Sequence, residues 1–593
     1  MDPRPETPKG LTLGRALERA AATRLGVRFL DRRERDTLIP YRELLTAARR
    51  VAAGLRRLGL RRGERVALIL PTGPGFYHAF FGASLAGAVP VPLYPPVRLG
   101  LLDEYHQRTA EMLRACGARL VLTETAIRRI LGPTVERARP PLGCLTVAEL
   151  PDGQPSDDRA AIDDVAFIQF SSGTTGAPKP IQLTHRQVLA NASLILDQIM
   201  TSYPEEGGLV HRGVSWLPLY HDMGLVGCVL VALLHPGELT LIPPELFVAR
   251  PAVWLRAISR FEGTVSPAPN FAYALCAERV TDEEITGVDL SSWRLALNGA
   301  EPVTPGVLER FIRRFAQHGL RPEALTPVYG LAEATLAVTF SDVRHPFRWR
   351  RFDRRRLNGE GVAAPTDEGT DGEALVDLGR PLPGFQLRVV SPGGVELPEG
   401  RIGRILVRGP SVMQGYHGES AATAAVLDTE GWLDTGDLGF LLDARLFLHG
   451  RAKDVVIING RNHAPQAVEH ALEGLAGMRA GCCAAVGIVP SGGDGEELAL
   501  LLERARSGPR DDEALARAAR ERVASRTGLV PRRVLVLEPG TLPRTSSGKI
   551  RRAEARRRLL AGELRPPRPV SAVRMAGELL RSALALARAR HGP

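Results

Sequence analysis

Residues 171–179 read SSGTTGAPK, a run of small hydroxyl and glycine residues that ends in Lys179. The run follows DVAFIQF, an apolar stretch with the composition of a buried strand, and it precedes a second β-like run and a helical pattern. Small side chains let backbone N–H groups approach phosphate oxygens closely, and a lysine can add positive charge. The stretch therefore predicts a phosphate-binding turn, although it lacks the Gly-Lys-Ser/Thr spacing of the Walker motif. A purely structural turn is the alternative.

Outward from this loop, short β-rich runs alternate with helical patterns. RVALIL at 65–70 is followed by a helical stretch at 76–86 and then by the runs VPVPLY and ARLVLTE. Alternation of this kind predicts α/β layers around largely parallel sheets. Because 593 residues exceed what one core usually organises, we expect a large domain built of subdomains and at least one smaller unit.

A second unit begins after residue 450. Four β-like runs, DVVIING, CCAAVGIV, ELALLLER and RRVLVLE, are interspersed with helical patterns at PQAVEHALEG and near 511–526. This succession predicts a compact α+β domain of ordinary size. We therefore place an N-terminal domain at 1–450 and a small C-terminal domain at 451–563.

Two further segments depart from the regular pattern. Residues 341–370 are rich in Arg, Asp, Gly and Pro and predict an irregular insertion or a solvated loop. The tail at 564–593 opens with PPRP, which cannot continue a helix, and then predicts a helix with an apolar stripe. The stripe favours packing on the body of the protein, with contact to a partner or a membrane as the alternative.

Composition limits the classes of function. The formal net charge is +11, but eleven Arg and only three acidic residues lie in 550–593, so the remaining chain is nearly balanced. Without a zinc-finger or RNA-recognition signature, this pattern argues against nucleic acid as a partner. Six cysteines are scattered without CxxC spacing, and the start carries no apolar signal segment, so we expect a cytoplasmic protein. The apolar run at 226–234 is far shorter than the ~20 residues that span a membrane, so we expect no transmembrane segment.

The loop SSGTTGAPK resembles the phosphate-loop motif of the adenylate-forming ligases, which include acyl-CoA synthetases, luciferases and peptide-synthetase adenylation domains. Further motifs follow in the order of that family, namely SWLPLYHDMGLVG, ALNGAEPV, PVYGLAEAT, WLDTGDLG, HGRAKD and LPRTSSGKIRR. One departure is Pro180, where the family commonly has glycine. The resemblance implies a large N-terminal α/β domain, an insertion around 341–374 and a small mobile C-terminal α+β domain.

The resemblance also implies a nucleotide site with ATP and magnesium as cofactors. Tyr329 would stack against adenine, Asp437 would bind the ribose hydroxyls with Arg451 beside it, and Glu333 would hold the magnesium ion. Taken as isolated residues, Asp437 and Arg451 would more often form a surface salt bridge, and the motif context reverses that expectation. The residues implied to bind ATP or AMP are Ser171, Ser172, Gly173, Thr174, Thr175, Gly176, Lys179, Gly299, Ala300, Glu301, Tyr329, Gly330, Asp437 and Arg451.

Lys549 and His221 are the implied catalytic residues. Lys549 resembles the family's mobile catalytic lysine, and a cation is what the reaction needs, because carboxylate and α-phosphate are both anionic. His221 resembles a residue that lines the acyl and nucleotide pockets, with a buried structural histidine as the alternative. Lys453 falls where the family pivots its small domain between two half-reactions.

Within the superfamily, the phrases VPLYPP, SWLPLYHDMGLVG, NGAEPV, YGLAEAT and GRNHAPQAVE are most similar to those of the fatty acyl-AMP ligases. That resemblance implies activation of a fatty acid to acyl-AMP and transfer to the phosphopantetheine thiol of an acyl carrier protein. A medium- or long-chain acyl-CoA ligase, with coenzyme A as acceptor, is the nearer alternative. A non-catalytic acyl- or nucleotide-binding regulator is the more distant one. The apolar runs 225–234 and 268–275 suit an acyl tunnel or a plain core equally well.

Overall fold

The computed structural model describes residues 10–96, 99–154, 160–171, 178–201, 211–367, 371–458, 461–490, 496–506, 511–545, 548–567 and 571–591. Seven predicted site positions fall at the phosphate loop, and five of them, Ser172, Gly173, Thr174, Thr175 and Gly176, lie outside these ranges. The predictions for those five residues therefore stay predictions.

The strands of the first 451 residues fall into several sheets. In chain order they are β1 (Gly26–Leu30), β2 (Asp36–Pro40), β3 (Arg65–Ile69), β4 (Val89–Leu93), β5 (Ala118–Thr123), β6 (Cys144–Thr146), β7 (Val165–Phe170), β8 (Pro180–Thr184), β9 (Arg212–Ser215), β10 (Glu238–Leu241), β11 (Val265–Ala268), β12 (Leu295–Asn298), β13 (Leu325–Gly330), β14 (Ala337–Phe340), β15 (Trp349–Asp353), β16 (Gly372–Val376), β17 (Arg380–Pro381), β18 (Gln386–Val390), β19 (Gly403–Arg408), β20 (Gly415–Tyr416), β21 (Leu433–Leu442) and β22 (Arg445–Arg451).

Helices cover the sheets in the same part of the chain. They are α1 (Leu13–Ala21), α2 (Tyr41–Arg57), α3 (Pro74–Leu85), α4 (Leu102–Ala115), α5 (Thr125–Arg128), α6 (Gly132–Ala138), α7 (His185–Thr201), α8 (Asp222–Gly224), α9 (Val231–Leu234), α10 (Pro244–Ala249), α11 (Ala252–Arg260), α12 (Asn270–Arg279), α13 (Pro305–Phe315) and α14 (Ser420–Ala424). Two π-helical segments, Leu225–Leu230 and Arg356–Glu360, and short 3-10 turns complete the set.

The largest sheet has nine strands in the order β17-β14-β13-β12-β11-β9-β10-β1-β2. Its six central strands, from β13 to β1, pair in parallel, whereas the strands at both edges pair antiparallel. A second sheet, β4-β3-β5-β6, is wholly parallel. The predicted α/β class with mostly parallel sheets is therefore confirmed, and parallel strands bring their carboxyl ends to one edge, where a site can form.

Two smaller sheets are antiparallel, which the alternation of patterns did not predict. β18-β19-β21-β22 forms one of them, and β20-β8-β7 forms the other. The phosphate loop thus joins two antiparallel strands, β7 and β8. The helix that follows β8 begins with a reciprocal cap: the N–H of Thr184 donates to Oε1 of Gln187 at 2.9 Å, and the N–H of Gln187 donates to Oγ1 of Thr184 at 3.3 Å.

The stretch predicted to be an irregular insertion has regular structure. β15 and β16 pair antiparallel over five residues each, and Phe352 and Leu357 are buried against Phe440 and Phe447 of β21 and β22. The expectation of a solvated loop is wrong because these few apolar side chains, set between many arginines, find a core on the neighbouring sheet.

The chain after β22 forms the smaller unit. Its elements are β23 (Val456–Ile458), β24 (Arg461–His463), α15 (Pro465–Ala471), β25 (Met478–Ile488), β26 (Glu497–Arg504), α16 (Asp512–Thr527), β27 (Arg533–Leu537) and α17 (Arg552–Leu560). β25 pairs antiparallel with β26, and β26 pairs in parallel with β27. Two hydrophobic clusters, one on each face of this sheet, draw all their members from residues 458–564.

The tail folds back onto the large unit. Its helix, α18 (Ala572–His591), packs against α6, where the N–H of Gly132 donates to Oγ of Ser582 at 2.7 Å. Ser582 and Ala585 are buried, whereas Val573 is 84% exposed and Leu580 is 64% exposed. The helix therefore packs on the body, mainly through a face that holds Glu578, Ser582 and Ala585, whereas much of the apolar stripe is exposed.

Candidate active site

The neck of the phosphate loop is closed by two hydrogen bonds. The backbone N–H of Ser171 donates to the carbonyl of Lys179 at 2.9 Å, and the N–H of Lys179 donates to Oγ of Ser171 at 3.0 Å. Pro180 begins β8, and its carbonyl accepts the N–H of His417 at 2.8 Å. Pro180, which departs from the family pattern, therefore occupies a strand position in which its carbonyl oxygen accepts a hydrogen bond.

The side chain of Lys179 packs on Tyr416, which in turn binds the carboxylate predicted to hold the metal. Nζ of Lys179 lies 4.5 Å from the ring centroid of Tyr416, and the hydroxyl of Tyr416 donates to Oε1 of Glu333 at 3.1 Å. Burial raises the pKa of Glu333, which the Tyr416 hydroxyl opposes. Sequence reasoning missed Tyr416, since β20 is only two residues long and offers no periodic signal.

The turn after β12 carries three of the predicted nucleotide residues. A Cβ on Gly299 would lie 2.8 Å from Cγ2 of Val328, so the strand beside it leaves no space for a side chain. Ala300 adopts a left-handed conformation with φ of +67°. Glu301 follows and accepts the N–H of Phe271 at 2.5 Å. This turn lies at the carboxyl end of a parallel strand, where ligands of α/β sheets bind.

The adjacent strand β13 ends in Tyr329 and Gly330. The hydroxyl of Tyr329 donates to Oδ2 of Asp437 at 2.8 Å, and both side chains are buried. A Cβ on Gly330 would lie 1.7 Å from the carbonyl oxygen of Leu336, which requires glycine there. Burial raises the pKa of Tyr329, and the charge of Asp437 adds to the effect.

Asp437 and Arg451 face each other across the β21–β22 pair. Nε of Arg451 lies 3.0 Å from Oδ1 of Asp437, and Asp437 is only 7% exposed. Asp437 is the main cause of the raised pKa of Arg451. The carboxylate of this ion pair is therefore buried rather than at the surface, and the role of the pair in nucleotide binding stays a prediction.

His221 stands before the short helix α8, beside a carboxylate that sequence reasoning did not single out. Nδ1 of His221 lies 2.6 Å from Oδ1 of Asp222, and Asp222 also accepts the N–H of Met223 at 2.7 Å. Burial acts to raise the pKa of Asp222, but His221 and then Lys549 outweigh it, so the pKa is lowered. The adjacent His-Asp pair in YHDMG was the available signal.

Lys549 comes into this site from the smaller unit. Its loop is closed by the N–H of Thr545, which donates to the carbonyl of Lys549 at 2.8 Å, and by the N–H of Lys549, which donates to Oγ1 of Thr545 at 3.1 Å. Burial lowers the pKa of Lys549, while Asp222 opposes the shift. Three carboxylates interact electrostatically with this lysine: Asp222, Glu301 and Asp437.

Lys453 lies outside this cluster, in the exposed turn that follows β22. The next residue, Asp454, is held by Nη1 of Arg552 at 3.2 Å, and Arg552 also binds Glu469 of α15 at 2.5 Å. The turn is thereby attached to the smaller unit on one side and to β22 on the other. This position suits a pivot, and the role of Lys453 stays a prediction.

The runs proposed to line an acyl tunnel are largely core. Leu225 to Leu230 form a π-helical segment in which five of six residues are buried. A Cβ on Gly224 would lie 2.4 Å from the carbonyl oxygen of Pro218, so its small size serves backbone packing. Gly227 differs, since a Cβ there would meet only Cδ2 of Leu336, at 3.0 Å.

Comparison with known proteins agrees with this arrangement. The family model described as AMP-binding enzyme matches residues 17–417. A putative acyl-CoA synthetase of Caulobacter vibrioides is 34% identical over 565 residues, which cover 93% of this chain and 96% of the relative. The long-chain-fatty-acid–AMP ligase FadD23 of Mycobacterium tuberculosis is 36% identical, with 85% and 88% covered. A solved structure from a study of fatty acyl-adenylate ligases of E. coli and L. pneumophila superposes with a TM-score of 0.86, at 34% identity, covering 94% of this chain and 99% of the other.

Proposed function

This chain belongs to the AMP-binding enzyme family, and from that premise we propose that it is a fatty acyl-AMP ligase. It activates a fatty acid with ATP, releases pyrophosphate, and passes the acyl group to the phosphopantetheine thiol of an acyl carrier protein. The observation that carries the proposal is that Lys549, a residue of the smaller unit, interacts electrostatically with Asp222, Glu301 and Asp437 of the large unit. Support for the acyl substrate comes from relatives such as the long-chain-fatty-acid–AMP ligase FadD23.

The adenylation step joins two anions. A carboxylate oxygen of the fatty acid forms a bond to the α-phosphorus, and the bond from that phosphorus to the bridging oxygen breaks, so that pyrophosphate leaves with the electron pair. Positioning and charge stabilisation supply most of the catalysis of such a step. Lys549 supplies the positive charge at the centre of the site, and no nucleophilic side chain is needed.

Binding of the nucleotide falls to the residues at the ends of the strands. We assign Asp437, fixed by Tyr329 and Arg451, to the ribose hydroxyls, and the turn Gly299 to Glu301 to the adenine. His221 is oriented by Asp222 and faces the acyl and nucleotide pockets. Ser171 and Lys179, at the two ends of the phosphate loop, are assigned to the phosphates.

The donor set fits a magnesium ion bound mostly by phosphate oxygens. Mg²⁺ prefers hard oxygen ligands and is commonly held by one or two carboxylates together with substrate phosphates. Glu333 supplies such a carboxylate, and Asp222 lies near enough to raise its pKa further. Bound there, the ion would neutralise phosphate charge. Among the residues that the structure describes, no group of three or more His, Cys, Asp or Glu forms a metal cage of its own.

The thiol that accepts the acyl group distinguishes the proposed function from its nearer alternative, a medium- or long-chain acyl-CoA ligase. One relative is named as a putative acyl-CoA synthetase, so that alternative stays in view. The carrier protein is favoured by the contacts of the β15–β16 segment. Nη2 of Arg354 donates to the carbonyl of Arg526 at 3.1 Å, which links this segment to the smaller unit. This link supports the interpretation of the segment as the family's insertion, which the resemblance associates with disfavouring coenzyme A.

A non-catalytic regulator is disfavoured. Lys179, Glu333, Asp437, Arg451 and Lys549 are all present, and the described side chains converge on one site. No helix in the described part of the chain is long and apolar enough to cross a membrane. All six cysteines are free thiols, which suits the reducing cytoplasm that we propose as the compartment.

The proposal is tested by product analysis with purified protein. ATP, magnesium and a panel of fatty acids are supplied with either coenzyme A or a phosphopantetheinylated carrier protein, and pyrophosphate, acyl-AMP and thioester are followed separately. Accumulation of acyl-AMP and transfer only to the carrier is the expected result. Rapid formation of acyl-CoA would establish the alternative ligase, and absence of adenylate with every acid would refute both.

A further inference from the structure

A small cavity lies at the described ends of the phosphate loop, Ser171 and Pro178. Its lining includes Tyr94, Arg108, Ser171, Pro178 and Tyr220. Ser171 and Pro178 flank the loop, and Tyr220 immediately precedes His221. The cavity is open on one side, and its volume of about 30 Å³ suits the oxygens of one phosphoryl group rather than a nucleotide or an acyl chain.

Arg108 brings a positive charge to this cavity. It lies in the middle of α4, and its Nε is buried with no hydrogen-bond partner in the described part of the structure. Leaving a buried N–H of a charged group without a hydrogen bond costs free energy. A ligand that brings oxygen atoms and negative charge would remove that cost.

The smaller unit supplies a second arginine at the same place. Nη1 of Arg551 lies 3.8 Å from Oε1 of Glu104, which is one helical turn before Arg108 on α4. Burial, and then the charge of Arg108, lower the pKa of Arg551. The two guanidinium groups are therefore neighbours across the boundary between the two units.

Arg551 lies two residues after Lys549 on the same loop of the smaller unit. The intervening residue, Ile550, forms a β-bridge with Arg544 and packs on the core of the smaller unit. In extended backbone, residues two apart point to the same side. Lys549 and Arg551 therefore face the large unit together, one in the centre of the site and the other beside the cavity.

The acidic groups nearby are shared among several arginines. Glu104 accepts from Nη2 of Arg558 at 2.9 Å in addition to its contact with Arg551, and Glu554 pairs with Arg557 and Arg558. Among the residues that line the cavity, Arg108 alone carries a charge, so the lining itself favours an anion.

We propose that Arg108 and Arg551 form a phosphate-group site that receives the pyrophosphate leaving the α-phosphorus. The cavity adjoins the phosphate loop, and it is completed only when Lys549 is also in place, so that leaving-group capture accompanies the chemical step. This inference rests on the proposed function and deepens it. A second source of the same chemistry is the phosphate of the phosphopantetheine arm, and the experiment separates the two.

The test compares Arg108→Gln with the parent enzyme in two assays. The first forms ATP from acyl-AMP and pyrophosphate and measures the KM for pyrophosphate. The second transfers the acyl group from acyl-AMP to the phosphopantetheinylated carrier, a step without pyrophosphate. We expect the KM for pyrophosphate to rise about tenfold, the change expected for one lost charged hydrogen bond, while the KM for the carrier stays unchanged. Arg551→Gln should likewise raise the KM for pyrophosphate and leave the KM for the carrier unchanged. Arg108→Lys should restore part of the affinity for pyrophosphate.

Arg114→Gln is the matched control, because Arg114 lies on the same helix and makes an exposed contact with the carbonyl of Arg137. A raised KM for the carrier alone would overturn the assignment to pyrophosphate, as would unchanged values in both assays. If the parent enzyme makes no acyl-AMP with any fatty acid, the proposed function itself fails. That outcome is distinct from an active enzyme whose Arg108 and Arg551 variants bind pyrophosphate normally.

Discussion

The hydroxyl of Tyr329, at the end of β13, donates a 2.8 Å hydrogen bond to Asp437 in the middle of β21. The bond joins two different sheets, and the other carboxylate oxygen of Asp437 is held by Arg451. Asp437 is thereby fixed on both sides before any ribose arrives. The energy of binding need not be spent on ordering this side chain, which is the advantage of a preorganised site.

Tyr329→Phe should weaken AMP binding while preserving the ring that is predicted to stack on adenine. Removing one hydrogen bond to a charged group costs about 1.5–3 kcal/mol, so we expect the Kd for AMP to rise about tenfold or more. Titration calorimetry measures it, with Tyr41→Phe as the control, because the Tyr41 hydroxyl donates to the carbonyl of Gly237 at 2.8 Å and not to a predicted site residue. An unchanged Kd would show that the bond does not prepare Asp437 for the nucleotide.

Lys549→Ala should abolish most adenylation but spare ATP binding. Removing one preorganised donor from a transition state commonly costs roughly 10²–10³ in rate, and the charge of Lys549 acts on Asp222 in the site. We expect that loss in single-turnover formation of acyl-AMP. Arg533→Ala, an exposed change in β27, should behave as the parent. An unchanged adenylation rate in Lys549→Ala would remove the lysine from the mechanism.

Asp222→Asn should shift the pH dependence of adenylation. Burial lowers the pKa of Lys549, and the charge of Asp222 opposes that shift. Without this anion the pKa falls further, so the lysine loses its proton at a lower pH. The alkaline limb of the pH–rate profile should therefore move to lower pH, by on the order of one unit. Asp367→Asn, at an exposed position, should leave the limb in place, and a shift to higher pH would contradict the argument.

Much of the fold follows from local patterns, because parallel strands buried on both faces leave long apolar runs between helices. RVALIL and ARLVLTE became β3 and β5 of one parallel sheet. The β15–β16 pair was missed because its residues alternate arginines with few apolar side chains. Its stability depends on a core partner, Phe440, that lies far along the chain.

The residues of the site also separate into those that the sequence could predict and those that it could not. Residues carried by long motifs, such as Asp437 and Lys549, could be named from the resemblance, and the structure brings these two together. Tyr416 could not, since its contact with Lys179 depends on the antiparallel pairing of β20 with β8. A side chain that acts through a neighbour in space leaves no trace in the spacing of a motif.

Arg552→Gln should destabilise the smaller unit. Arg552 binds Glu469 at 2.5 Å and Asp454 at 3.2 Å, and both carboxylates are largely buried. Breaking a buried pair leaves an uncompensated charge and costs about 3–5 kcal/mol. We expect the unfolding transition of this unit to move to lower denaturant concentration. Arg556→Gln, whose partner Glu496 is 3.5 Å away at a more exposed position, should cost far less; equal effects would contradict this prediction.

Gly132→Ala should release the tail helix from the large unit. A Cβ at position 132 would lie 2.0 Å from the carbonyl oxygen of Ser582, and backbone atoms cannot yield to it as a flexible side chain would. Ser582 is wholly buried in this contact, so α18 must move as a whole. We expect faster amide hydrogen exchange across α18 in the variant. Gly577→Ala is the matched control, because a Cβ there meets nothing within 4 Å and should, if anything, strengthen the helix. Equal protection of α18 in both variants would mean that the contact with α6 does not hold the tail in place.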